Sequence, residues 1–192
     1  MSHGVPIANT RSATGIRTAK LATWWVVGSE IVIFGGLLVC YLLFRLHHKE
    51  WGQDAAHTIT LAGAFNTFVL LTSSYFVVLA HQAAEAKDGA KASRYLWYTI
   101  GGGLVFMMVK AFEYTTDITE GFTIFKSVFW SFYYTATGLH GCHVLAGMII
   151  MGIVAHSAKK GENLHRVECI GIYWHFVDLV WIFLFPLLYI AK

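Results

Sequence analysis

Apolar residues in this chain fall into long runs, and charged residues crowd into the short stretches between them. Each run approaches the ~20 residues that a helix rising 1.5 Å per residue needs to cross a bilayer. The pattern predicts five spanning helices, near residues 22–46, 58–83, 95–115, 127–157 and 167–190. The second and fourth are the most sharply drawn, because residues 55–84 and 127–158 contain no Asp, Glu, Lys or Arg. The expected fold is therefore all-α: an integral membrane bundle of five transmembrane helices, one domain over residues 22–192, behind a flexible polar tail over residues 1–21. The tail has no apolar core followed by a small-residue cleavage site, so no secretory signal peptide is expected.

Composition agrees: 56% of the 192 residues are hydrophobic and 13% charged, which places the chain in lipid rather than in water. The charges then orient it. Arg11, Arg17, Lys20, Lys87, Lys91, Arg94, Lys159, Lys160 and Arg166 fall on one side of the predicted spans, and Arg45, Lys49, Lys126 and Lys192 on the other. Nine against four predicts a cytoplasmic N-terminus and an outside C-terminus. Trp24, Trp25 and Trp97 at inner ends, and Trp51 and Trp130 at outer ones, suit an interfacial belt. The net charge of +3 is scattered, with no basic stripe, which argues against nucleic acid. Cys40, Cys142 and Cys169 form no CxxC pair and read as small packing residues. Gly101, Gly102 and Gly103 near the start of the third span should admit a neighbouring backbone.

Candidate chemistry lies in the ionisable residues inside the spans, where each charge costs roughly 2.5–3.5 kcal/mol on insertion scales. Glu30 stands about 12 Å up the first span, and His175 and Asp178 sit in the same half of the fifth. Glu168, His175 and Asp178 share an arc of about 80°, one polar face for a partner helix. His175 and Asp178, at i and i+3, are placed to hydrogen-bond each other; a polar clamp between helices and a proton-handling role both remain open. Lys110 and Glu113 form a second i, i+3 pair, read as structural, near the outer end of the third span where the lysine can snorkel. His140 and His143 lie one turn apart in the fourth span, but two histidines fall short of the three or four ligands a metal site needs. No metal or haem is assigned to the chain.

The stretches "SEIVIFGGLLVCYLLF", "FNTFVLLTSSYFVVLAH", "KAFEYTTD", "TATGLHGCHVLAGM" and "YWHFVDLVWIFLFPLLYI", in that order, resemble subunit III of the haem-copper terminal oxidases, in its five-helix bacterial form. The resemblance runs from about residue 22 to 190. It implies an accessory subunit of a respiratory electron-transport complex in the bacterial cell (inner) membrane, with no catalytic residue and no cofactor of its own. Haem and copper would reside in partner subunits I and II. The chain would pack on subunit I, bind phospholipid and support proton uptake during oxygen reduction, within the complex alone or a larger supercomplex. Glu30, His140, His143, Glu168, His175 and Asp178 match the family's signature polar residues, and are assigned to lipid binding or proton support. Many family members have seven spans, and this chain begins at what would be their third. Cytochrome c is favoured as the complex's electron donor over quinol. Two further alternatives are a membrane histidine-box metalloenzyme, which would need more than one buried HxxH, and a small proton-coupled transporter, which would be expected to show an inverted repeat.

Overall fold

A computed structural model describes residues 17–47 and 51–190. It is a helical bundle of α1 (Thr18–His47), α2 (Trp51–Ala56), α3 (Thr60–Glu85), α4 (Gly89–Thr119), α5 (Val128–Lys159) and α6 (His165–Phe185), the last running on into a π-helical turn, Pro186–Ile190. Five of these elements are long and apolar enough to cross a membrane, at the five positions the hydrophobic runs predict. Most of the tail, residues 1–16, lies outside the described residues, as do Lys49 and Lys192 of the charge count.

The differences are at the edges of elements. The third span is longer at both ends than the expected 95–115. Its start is fixed by Asp88, whose side chain accepts from the Lys91 backbone N–H, a capping bond that satisfies one of the helix's free donors. Ser127 likewise caps α5 through the Trp130 N–H. The short α2 was not predicted, since six residues of mixed polarity carry no readable period. It is held by its ends: Trp51 is buried against Tyr41 and Phe129, and donates through Nε1 to the Tyr41 hydroxyl at 3.1 Å.

α6 is the centre of the bundle. It packs on α3, α5 and α1, while α4 closes the far side between α3 and α5. Trp174, Trp181 and Leu184 are accordingly among its fully buried residues. Each indole donates to a hydroxyl of α3: Trp174 to Ser73 at 3.1 Å and Trp181 to Thr67 at 3.0 Å. These bonds fix the register of α6 on α3, because a buried indole N–H without a partner is costly.

Of the three glycines, Gly102 lets the α3 backbone come close at Ser73, while Gly103 makes room for side chains instead. A Cβ on Gly102 would stand 2.7 Å from Ser73 Cβ, and one on Gly103 2.7 Å from Met148 Sδ, whereas Gly101 faces open space. α1 sits at the periphery and packs on α6 and α5 through a seam of Val27, Phe34 and Tyr41 at seven-residue spacing.

Candidate functional site

Glu30 is placed by α1 twelve residues beyond its start, about 18 Å along the axis. Its carboxylate turns toward α5, where Oε2 stands 2.9 Å from His143 Nε2. His143 Nδ1 lies 2.8 Å from the Leu139 carbonyl. A carbonyl only accepts, so Nδ1 carries a proton. The approach is off the ring N–H axis, and Oε2 accepts no aligned hydrogen bond. Phe34 meets the imidazole edge-on at 5.2 Å, and the Tyr173 hydroxyl donates to the His143 carbonyl at 3.2 Å.

This pair borders a cavity of about 570 Å³ between α1, α5 and α6. Its walls are apolar, from Val26, Ala146, Ile150, Val154 and Ile170, and Arg166 joins them where α6 begins. Beside it Lys20 of α1 bonds Glu168 of α6. The result is an apolar groove with an ionisable pair partway along the helices, and Arg166 and the Lys20–Glu168 pair toward the end where α1 starts.

The other sequence-predicted residues are dispersed. Glu30 was grouped with His175 and Asp178; the structure pairs it with His143 instead, on the opposite flank of α6. His175 and Asp178 do not bond each other. His175 Nδ1 meets the Ser74 hydroxyl of α3 at 2.6 Å, which turns the ring out of the bundle. Asp178 points inward, is buried, and neither of its oxygens has an aligned hydrogen bond. The arc of Glu168, His175 and Asp178 is therefore divided among three environments: α1, α3 and the interior. His140 is fully buried against Phe106 and Trp181, with no hydrogen bond on either ring nitrogen, and does not converge with His143 on a common point. Among the described residues no three His, Cys, Asp or Glu side chains gather as a ligand set.

Lys110 does not snorkel. It is only 5% exposed, and its three ammonium protons are all used: to Glu113 Oε2 at 2.9 Å, Tyr133 Oη at 3.1 Å and Tyr189 Oη at 2.8 Å. The rings of Tyr114 and Tyr133 face the cation at 4.8 and 4.7 Å. Asp117, also buried, accepts from Tyr133 at 3.4 Å. Pro186 lacks the N–H that would continue the α-helical ladder, and the π-helical turn that follows carries Tyr189 into this cluster. Sequence reasoning missed Asp117, Tyr133 and Tyr189 here, although Asp117 lies two turns from Lys110 on the same helix face. It also missed the Glu30–His143 pair, for which matching the two depths was the available signal.

A family model described as cytochrome c oxidase subunit III matches residues 19–192. The chain belongs to the cytochrome c oxidase subunit III family. It is similar to the cytochrome c oxidase subunit 3 of Thermostichus vulcanus, 35% identical over 167 residues covering 84% of this chain and 82% of that one. The subunit 3 of Bacillus sp. strain PS3 is 31% identical over 191 residues, covering 96% and 92%, and that of Bacillus subtilis 32% identical over 176 residues, covering 88% and 84%. The subunit III resemblance read from the motifs is thereby established, and the chain is an accessory subunit of an oxidase and a multi-pass bacterial membrane protein. The histidine-box and transporter alternatives fall away.

Proposed function

We propose that this subunit III carries no redox centre, packs on subunit I of a bacterial cytochrome c oxidase that holds haem and copper in subunits I and II, and steadies proton uptake by holding phospholipid in the groove at Glu30. The observation that carries the reading is the placement of the Glu30–His143 pair on an apolar cavity of about 570 Å³ with Arg166 among its lining and Lys20 beside it. Acyl chains suit the walls and an anionic headgroup suits Arg166. The charge asymmetry supports a cytoplasmic placement of the Arg166 end, the side from which protons are taken up. Cytochrome c is the donor we favour, consistent with the names of the relatives.

The test is Glu30→Ala in the assembled oxidase, followed by oxygen consumption with reduced cytochrome c and by mass spectrometry of co-purifying lipid. We expect normal assembly, fewer retained phospholipids and a shorter active lifetime under sustained turnover. Unchanged lipid content together with unchanged lifetime would overturn the groove's role. Turnover with a quinol but none with cytochrome c would overturn the donor.

A further inference from the structure

The flank of α6 that faces α3 holds a second set of ionisable groups, which the lipid groove does not use. His175 Nδ1 and the Ser74 hydroxyl are 2.6 Å apart. One turn further along α6, the Asp178 carboxyl is only 4% exposed and stands against the same hydroxyl, close enough to interact though not aligned as a hydrogen bond. Ser74 therefore lies between an imidazole open to the bundle surface and a carboxyl closed off from it. The placement follows from the antiparallel packing of α3 on α6, which sets Ser73 beside Trp174 and Thr67 beside Trp181. Side chains lean toward the N-terminus of their own helix, so Asp178 leans back to the level of His175, where Ser74 meets both.

A hydroxyl donates one proton, accepts at two lone pairs and turns freely about its C–O bond, and an imidazole exchanges protons at either nitrogen. Leaving a buried carboxylate without an aligned partner is costly, and the proton source nearest Asp178 is the His175 ring across Ser74. The other titratable groups packed around α6 are placed elsewhere. Glu30 of α1 is on His143 of α5, Lys20 on Glu168, and Lys110 of α4 on Glu113. His140 of α5 lies between Phe106 and Trp181. On α3, His81 follows Ser74 by two turns on the same face, within electrostatic reach of His175. With Glu85, His165 and Glu168 it borders a polar cavity of about 750 Å³ at the end where α3 stops and α6 begins. Glu85, on that border, is exposed, so the cavity joins this flank to solvent.

We infer that His175, Ser74 and Asp178 form a proton relay, which loads the buried carboxyl from the cavity that His81 borders. A proton from solvent binds Nε2 of the neutral imidazole and makes an imidazolium. Nδ1 then gives its proton to Ser74 Oγ as the Oγ proton passes to the Asp178 carboxylate. The products are a neutral carboxylic acid, an intact hydroxyl and a neutral imidazole with its proton on Nε2. One proton has entered and one negative charge has been neutralised; the reverse sequence releases the proton to the same cavity. The relay does not involve the groove at Glu30, so the Glu30→Ala result bears on the lipid reading alone.

The test is infrared spectroscopy of the whole purified oxidase, following the carboxylic-acid bands as light water is replaced by heavy water. Asp178→Asn identifies the Asp178 band as the one it removes. Ser74→Ala should slow exchange of that band at least about tenfold, while Ser74→Thr, which keeps the hydroxyl, should exchange like the unaltered oxidase. His175→Gln keeps a polar partner for Ser74 but cannot pass a proton between two ring nitrogens. The relay therefore expects the same slowing in His175→Gln, where a purely structural contact expects none, and this variant carries the test if Ser74→Ala does not accumulate. Exchange at the unaltered rate in Ser74→Ala or His175→Gln would overturn the relay, as would the absence at every pH of any carboxylic-acid band that Asp178→Asn removes.

Discussion

Lys110→Met tests whether the cluster at the end of α4 is a closed electrostatic unit. Methionine matches the length of the lysine stem, so little cavity is created, and the loss is that of the charge. Three hydrogen bonds leave with it, each worth about 1.5–3 kcal/mol when one partner is ionised, offset by the ammonium's own desolvation. What remains is Glu113, fully buried, keeping only the Tyr189 hydroxyl at 3.0 Å. Removing one partner of a buried ion pair costs about 3–5 kcal/mol, because the other charge is stranded. Replacing both partners with apolar residues of similar volume costs far less, and is often near neutral. We therefore expect Lys110→Met to lower stability by about 3–5 kcal/mol and Lys110→Met/Glu113→Leu to be more stable than Lys110→Met alone. The assay is reversible unfolding of the purified chain in mixed micelles by a denaturing detergent, followed by far-UV circular dichroism. Single-variant losses that add to within about 0.5 kcal/mol would refute the reasoning, and a negligible cost for Lys110→Met would mean that the lysine reaches the interface after all.

Three further outcomes follow from the packing, each read in the same unfolding assay. Gly89→Ala should cost about 1–3 kcal/mol, because its Cβ would stand 2.1 Å from the Ala158 carbonyl oxygen, a backbone atom that cannot rotate away, whereas Gly35→Ala, in open space, should stay within about 0.5 kcal/mol in the isolated chain. Trp181→Phe should cost about 1 kcal/mol beyond its volume change, since the bond to Thr67 is lost while that hydroxyl keeps its own bond to the Gly63 carbonyl. Glu168→Gln should cost less than about 1 kcal/mol, and the difference from the unaltered chain should shrink as salt is raised, because the Lys20–Glu168 pair is more than a third exposed on both sides.

The five spans and the oxidase subunit III family were legible in the sequence, and so were the span limits apart from those of the third, which begins six residues earlier than expected. The physical reason is that lipid imposes its constraint along the chain: every backbone polar group must be satisfied within its own segment, so length and apolarity announce each helix without reference to any other. The identities of the intramembrane polar residues were legible for the same reason, since each stands out as a cost in an apolar run. Their partners were not. Helical spacing placed His175 beside Asp178 and Glu30 at their depth, yet Ser74 of α3 drew His175 outward and His143 of α5 took Glu30. Lys110, near enough to the end of its span to snorkel by count, was drawn inward by Tyr133 and Tyr189 from two other helices. The π-helical turn after Phe185, on which the Tyr189 contact depends, has no counterpart in the hydrophobic period. A one-dimensional pattern gives the depth of a residue and its azimuth on its own helix; which neighbour faces that azimuth is decided only when the five helices pack.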